Sequence, residues 1–306
     1  MSDSGWPPVS VVIPTRDRPV ELERAVRSVL SQDYQGHLEC TVVFDQEQPK
    51  PLSAVVPPGY SLRSIENVRS PGLAGARNTG AAQSSGDLLA WCDDDDEWLP
   101  HKLTRQVQAL RGSPDAGVAT CGIAVCVGRR RVARVPRDRV VARGDLLRSR
   151  QMWVHSSTLV VRRDRFFGDI GPVDETIPGS YGEDYEWVVR ASKWSPIVAV
   201  LEPLVLVHWQ RSYYAQRWDT MTSAIRYHLE KHPELAHDPR NAARMYGRLA
   251  FAYGASGRHQ EARRWARRSI DLDWRQPRGY LAMLVSLGLL SPRWVTSLAA
   301  ALGRGV

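Results

Sequence analysis

Five acidic residues stand together at Asp93–Glu97, between the apolar stretches Leu88–Cys92 and Trp98–Pro100. Carboxylates crowded at a sheet edge repel one another unless a cation joins them. Hard divalent ions such as Mg2+ and Mn2+ take oxygen ligands of this kind, usually one or two carboxylates with phosphate oxygens. A solvated acidic turn is the plain alternative. The apolar flanks favour the metal.

Two further stretches carry chemistry. In Ser70–Gly80 (S-P-G-L-A-G-A-R-N-T-G), glycines permit tight backbone, and Arg77 sits among small residues near a helix start. Turn formation and helix–sheet packing account for Gly72 and Gly75, whereas a guanidinium there can grip nucleotide or phosphate oxygens with its bidentate fork. In Tyr181–Ala191, Gly182 precedes a helix that opens with Glu183 and Asp184. Asp184, Trp187, Val188 and Ala191 follow i, i+3, i+4, i+7, which puts Asp184 on the apolar stripe. The helix dipole favours an ionised acid in the first turn. Such an acid is either a helix cap or, facing inward, a general base.

The elements that must position these residues alternate along the first hundred positions. Val9–Ile13 reads as a buried strand ended by Pro14, and Leu22, Ala25, Val26, Val29 and Leu30 recur at helical spacing. Cys40–Phe44 is a second strand, Gln46–Tyr60 a Pro-rich loop, Gly75–Gln83 a helix start and Leu88–Cys92 a third strand. The pattern predicts a mostly parallel sheet covered by helices. Its strands end in Thr15–Arg16–Asp17, Asp45 and Asp93–Asp96, on the side where open α/β sheets bind ligands. Further on, Leu99–Leu110 and Glu183–Ala191 read as helices, and Gly117–Val127, His155–Arg162 and Ile197–His208 as strands, the last interrupted at Pro203. Beyond about residue 215 only helices are expected. Ala243–Tyr253 and Gln260–Leu272 form a hairpin turning at Gly254–Gly257, which looks like one tetratricopeptide-type unit through Tyr253, Glu261, Ala262, Ala266 and Pro277. One unit makes no solenoid, so the hairpin reads as a buttress.

Composition excludes several classes. With 43% hydrophobic and 24% charged residues in 306, the chain is neither disordered nor fibrous. The longest apolar run, Leu281–Leu290, stops at Ser291–Pro292, short of the ~18–20 residues of a membrane span. Asp3 and the prolines after it do not resemble a signal peptide, and the four cysteines lack metal or disulfide spacing. These features predict a reduced, cytoplasmic protein. The net charge of +8 rests on 37 arginines and four lysines, scattered apart from Arg129–Arg131 and Arg263–Arg268. That skew fits a GC-rich coding bias better than nucleic-acid binding, and no nucleic-acid partner is expected.

The motifs V-S-V-V-I-P-T-R (9–16), S-V-L-S-Q (28–32), Asp45, G-L-A-G-A-R-N-T-G (72–80), L-A-W-C-D-D-D-D-E-W (89–98) and G-E-D-Y-E-W (182–187) occur in order. Together they resemble the inverting glycosyltransferases of family 2, which have the GT-A fold. The resemblance covers roughly residues 9–210. Sugar nucleotidyltransferases share the architecture, but their Gly-rich, Lys-containing N-terminal loop is absent. The resemblance implies an α/β GT-A domain over 1–213, with a Rossmann-like, mostly parallel mixed sheet flanked by helices. A nucleotide-sugar half to about residue 100 and an acceptor half over about 101–213 would precede a helical extension over 214–306.

It also implies roles. Thr15 and Asp45 would hold the base and ribose, with Arg77 beside them. The family usually has two acids and Gly–Ser after the second strand, where this chain has Asp45 followed by Gln46–Glu47–Gln48. Asp93 and Asp95 would form the Asp-x-Asp signature, Asp95 on Mn2+ or Mg2+ and Asp93 nearer the ribose. Four consecutive aspartates leave the register open by one, so Asp94 and Asp96 stay in play. Asp184 would be the base that deprotonates the acceptor. His208 would be a further metal ligand or a structural strand-end histidine. Arg211, within Arg211–Trp218, would lend charge to the donor diphosphate from a flap, or that stretch is an ordinary link. Trp153 and His155 lie where similar enzymes take the acceptor, although Trp153 also fits a core position.

The implied activity is metal-dependent transfer from a UDP- or dTDP-linked sugar to a small-molecule or lipid-linked acceptor, in a bacterial natural-product, glycan or cell-wall pathway. A peripheral contact with the inner face of the membrane and a homodimer are compatible with it. The rival is a non-catalytic, glycosyltransferase-like adaptor that docks a partner through its hairpin. That rival predicts decay of the acidic run or of Asp184, and both are intact.

Overall fold

The computed structural model describes residues 5–128, 130–208 and 217–301. They fall into two compact units, one of residues up to 143 with 151–175 and 183–208, the other of 144–150, 176–182 and the described residues from 217 onward.

The first unit is built on a mixed sheet. Its strands are β1 (Val9–Thr15), β2 (Leu38–Phe44), β3 (Tyr60–Glu66), β4 (Leu88–Trp91), β5 (Asp96–Trp98), β6 (Val118–Val127), β7 (Arg130–Arg134), β8 (Val160–Arg162) and β9 (Ile197–His208). The order is β3-β2-β1-β4-β8-β6-β9-β5, with β7 paired to β6 outside that path. β3, β2, β1 and β4 run parallel, β8 is antiparallel to both its neighbours, and β6 and β9 are parallel. Helices α1 (Pro19–Leu30), α2 (Leu73–Ala82), α3 (Lys102–Arg111), α4 (Arg143–Arg148), α5 (Arg163–Phe167) and α6 (Glu183–Trp194) lie between the strands in sequence, α4 belonging to the second unit from Gly144 on.

All seven residues of β1 are buried, as in a strand covered on both faces. Pro14 does not end it, because pairing with β4 stops at Val12–Trp91 and no strand lies on that side beyond. Gly80 brings α2 onto β1: a Cβ there would stand 2.3 Å from Val12 Cγ1. β9 is continuous through Pro203, and its pairing with β6 slips at Gly122, the irregularity that proline requires.

Four elements differ from expectation. β3 begins at the last residue of the expected loop and matches no expected strand, β5 grows out of the acidic run, and β7 covers an arginine-rich stretch. The expected strand 155–162 is a 3-10 turn at Ser156–Thr158 followed by the short β8. Thr158 explains the turn, since its hydroxyl donates to the carbonyls of His155 and Trp153 at 2.7 and 3.1 Å. Such bonds compete with a ladder.

The second unit is helical, with α7 (Trp218–Lys231), α8 (Pro239–Ala255), α9 (His259–Leu272), α10 (Pro277–Ser286) and α11 (Pro292–Ala301). Asp238 caps α8, accepting from Asn241 N. The α8–α9 hairpin turns at Gly257, whose φ of 81° is left-handed. Ala250, Phe251, Ala266, Ala282, Val285 and Val295 form one core of this unit. No described helix is long and apolar enough to cross a membrane.

Candidate active site

The parallel strands β1, β2 and β4 end side by side, so Thr15, Asp45 and Asp93 emerge at one edge of the sheet. The acidic run continues from β4 into β5, which pairs antiparallel with β9 and so leads the chain back beside His208.

Each acid of the run has a cationic or hydroxyl partner. Arg77, buried in α2, donates from one terminal nitrogen to Asp93 Oδ1 at 2.6 Å and to Ser156 Oγ at 3.0 Å. Its other terminal nitrogen is bound to Glu183 at the start of α6. Arg18 reaches Asp94 at 3.1 Å and Asp95 at 2.7 Å, and Thr15 donates to Asp94 at 2.9 Å. Ser157 accepts from the backbone N–H of Asp93 at 2.9 Å and donates to Asp96 at 2.5 Å. Glu97 meets Arg24 Nε at 3.1 Å and His208 Nε2 at 2.5 Å. The expected mutual repulsion is therefore met in large part by the protein's own cations.

The acids do not share this compensation equally. Burial raises Asp93, but Arg77 and then His155 outweigh it and hold that carboxyl below its ordinary value. Burial pushes Asp94 up to about 6 against the pull of Arg18, and Asp96 up to about 7 against His155. It also pushes Glu183 up to about 7, against Arg77. Of the two carboxylates on one guanidinium, Asp93 keeps the charge and Glu183 gives way.

Asp45 accepts from Asn67 Nδ2 at 2.8 Å, Gln46 Nε2 at 2.9 Å and Gly72 N at 3.0 Å. It thereby ties the end of β2 to the start of α2. Asp184 is half-buried and lines a recess with Glu183, Arg77, Ser156, Trp91 and Trp187. The apolar stripe buries Glu183 more deeply than Asp184, contrary to the helical count.

Three expectations are altered. Arg77 does not present a free fork, since both terminal nitrogens are engaged. His208 does not join the carboxylates of Asp93–Asp96 among the described contacts: Glu97 faces Leu206, His208 falls on the same face two residues on, and the imidazole meets Glu97. The histidine among the aspartates is His155, and ligand atoms of Asp93, Asp96 and His155 lie within 4.8 Å of one another. Arg211 lies outside the described residues. Trp153 is half-buried rather than core.

Carboxylate oxygens with one imidazole nitrogen suit Mn2+ or Mg2+, so the donor set fits a divalent ion. Asp95 is the most accessible aspartate of the run, its side chain 31% exposed. Sequence reasoning missed Arg18, Arg24, Ser156, Ser157 and Glu183. Arg18 follows the strand-end motif directly and could have been marked on that ground, but the serines carry no local signal.

The family model for glycosyl transferase family 2 matches residues 10–170. A curated relative, the UDP-Glc:alpha-D-GlcNAc-diphosphoundecaprenol beta-1,3-glucosyltransferase WfgD of Escherichia coli, is 30% identical over 103 residues, 33% of this chain and 40% of that one. The chain spans between about 35% and 40% of the length of the first such relatives. Two solved structures share the architecture. S. aureus TarS 1–349 in complex with UDP-GlcNAc aligns with a TM-score of 0.60 at 13% identity, covering 92% of this chain and 90% of that one. The mannosyltransferase PcManGT of Pyrobaculum calidifontis, in complex with GDP-Man and Mn2+, aligns at 0.56 and 18% identity, covering 97% and 85%. The fold is thus GT-A, a mixed sheet with flanking helices and a helical C-terminal region.

Proposed function

The chain belongs to glycosyl transferase family 2, and from that premise we propose that it moves a sugar from a UDP- or dTDP-type donor to an acceptor nucleophile with inversion. The observation that carries this is the bridge made by Arg77. By holding Asp93 and Glu183 on one guanidinium, it fixes the acidic end of β4 against the start of α6, where Asp184 lines a recess.

In this reading Thr15 and Asp45 take the nucleotide, and Asp45 is already oriented by its three donors. Asp95, the accessible acid, and Asp93 would hold Mn2+ or Mg2+, and the ligand atoms of Asp96 and His155 lie within 4.8 Å of that of Asp93. His208 could join them only by leaving Glu97. When bound, the ion neutralises charge on the leaving diphosphate. Asp184 takes the proton from the acceptor hydroxyl, which attacks the anomeric carbon opposite the leaving group. A single displacement inverts the centre and needs no enzyme nucleophile. Ser156 and Arg77 hold Asp93 in place, and Trp91 and Trp187 wall the recess on its apolar side.

The acceptor is proposed to be lipid-linked, consistent with the diphosphoundecaprenol named in the E. coli relative. The TarS and PcManGT complexes, by their UDP-GlcNAc and their GDP-Man with Mn2+, support a nucleotide-sugar and a divalent ion. The test is calorimetric titration of UDP, dTDP and GDP with and without Mn2+. Tight binding of UDP or dTDP that a chelator removes is expected. Failure of every nucleotide to bind the folded protein would leave the adaptor reading in its place.

A further inference from the structure

Exposed apolar side chains collect on the last helices of the second unit. In α10, Gly279, Ala282, Val285 and Ser286 are buried, and the helix packs on α8 and α9. Tyr280, Leu284 and Leu287, at i, i+4 and i+7, form the opposite stripe and stand exposed, Leu287 by 52%. Trp274, in the turn before α10, is 68% exposed, and its carbonyl accepts the Tyr280 hydroxyl at 2.9 Å. In α11, Val295 packs into the core with Ala282 and Val285, while its neighbour Trp294 is 58% exposed, as is Leu298 one turn on to a lesser degree. The helical core of this unit accounts for Val295 and leaves the two indoles unexplained.

The charge around these residues is mostly positive, although Asp271 and Asp273 flank Leu272. Among the described residues after Asp273 there is no acid, whereas Arg275, Arg278 and Arg293 stand there. Exposed Arg264, Arg267 and Arg268 of α9 precede Leu272 and Trp274. The Arg275 guanidinium lies 5.1 Å over the Trp274 ring, so cation and indole are presented together.

We propose that the exposed apolar side chains of α10 and α11 with Trp274 make up a docking surface for an anionic lipid bilayer. Indole and phenol rings favour the membrane–water interface, where an apolar body and a polar edge are both satisfied. Helices with an apolar face and arginines around it lie in that plane, and the arginines meet headgroup phosphates. A second copy of the chain is a poorer occupant, because a twofold interface would bring this patch, in which arginines outnumber acids, against itself. The purpose of the docking, delivery of the site to a lipid-linked acceptor, rests on the proposed function, although the surface itself does not.

The experiment is co-sedimentation of the full chain with vesicles of equal parts phosphatidylcholine and phosphatidylglycerol, beside vesicles of phosphatidylcholine alone. Nucleotide titration is run on the same preparations. The protein should sediment with the anionic vesicles and at least roughly tenfold less with the neutral ones. The triple variant Trp274→Ala, Leu287→Ala, Trp294→Ala removes exposed side chains only. It should keep the wild-type circular dichroism and nucleotide affinity, and lose vesicle partition by roughly tenfold or more. Nucleotide binding without sedimentation would overturn the docking surface and spare the transferase. Sedimentation without nucleotide binding would do the reverse. Sedimentation that the triple variant leaves unchanged, or a dimer in light scattering that it dissolves into monomers, would also overturn the proposal.

Discussion

Glu183 and Asp184 are neighbours with different fates, and the difference lies 106 positions away in sequence, in Arg77. Glu183 is drawn inward by that guanidinium, leaving Asp184 half-buried at the recess. If Asp184 is the base, Asp184→Asn should lower kcat by about 10^2–10^4-fold and leave nucleotide affinity as it was, since the base acts on the acceptor. A variant that transfers sugar at the wild-type rate would remove Asp184 from that role. Glu183 makes a different prediction. Burial moves it from 4.5 up to about 7, so the folded protein holds this proton more tightly than the unfolded chain. Its stabilising contribution is complete below about 4.5 and declines as pH rises through about 7. Asp93, held below its ordinary value, titrates beneath that window and does not cancel the slope. Unfolding free energies from urea titrations in chelator should therefore fall between about pH 5 and about pH 8, Glu183 contributing on the order of 3 kcal/mol. Asp94 and Asp96, raised to about 6 and about 7, add in the same direction. Glu183→Gln should remove its own share of that fall and leave the share of Asp94 and Asp96. At this scale the sequence showed the acids and hid their partners. A run of carboxylates is conspicuous, but Arg18, Arg24 and Arg77 stand among 37 arginines, and only the fold selects three of them.

The elements that bury apolar residues on a regular period were legible: β1, β2, β4, β6, α1 and α6 lie where the pattern put them, within a few residues. β3 and β7 were not. β3 lies at the end of the strand order with its residues half-buried or exposed, and β7 is wholly exposed, so neither alternates cleanly. β5 is three residues long and begins with an acid, a strand only because β9 pairs with it. The register of α2 on β1 is set by absence of side chains rather than by apolar period. A methyl group on Gly80 would meet Val12 Cγ1 at 2.3 Å and Cγ2 at 2.8 Å, in a place where neither the buried strand nor the buried helix can yield cheaply. Gly80→Ala should cost about 1–3 kcal/mol as overpacking, against a small gain in helix propensity. Because Arg77 lies one turn earlier in α2, the displaced helix should also carry the guanidinium off Asp93 and Glu183. Nucleotide affinity should then fall together with the urea midpoint. A loss of stability with full affinity would show that α2 tilts about its N-terminal end and leaves Arg77 in place.

On the scale of the molecule, the candidate site is a property of the whole first unit. Its polar groups come from positions as far apart as Thr15 and Glu97, Ser156, Glu183 and His208, joined through bonds that span up to 111 positions. No partial fold of that unit brings them together, so a ligand that binds there binds the native state alone. Binding of that kind stabilises by RT ln(1 + [L]/Kd), about 2.7 kcal/mol when ligand stands at a hundred times its Kd. For a domain of this size that is a rise in Tm of roughly 5–10 °C. The donor nucleotide with Mn2+ should produce it, and a chelator should abolish it, because Asp94, Asp95 and Asp96 are each raised by burial and by neighbouring acids and a cation would relieve that strain. Mn2+ alone should give a smaller rise, since Arg18 already stands against Asp94 and Asp95 and must be displaced or shared. The Trp274, Leu287 and Trp294 variant should show the same increment as the wild type, its substitutions being in the second unit. A melting curve that neither nucleotide nor metal shifts would mean that the arginines complete the acidic cluster as a structural ion network, and that the chain binds no donor there.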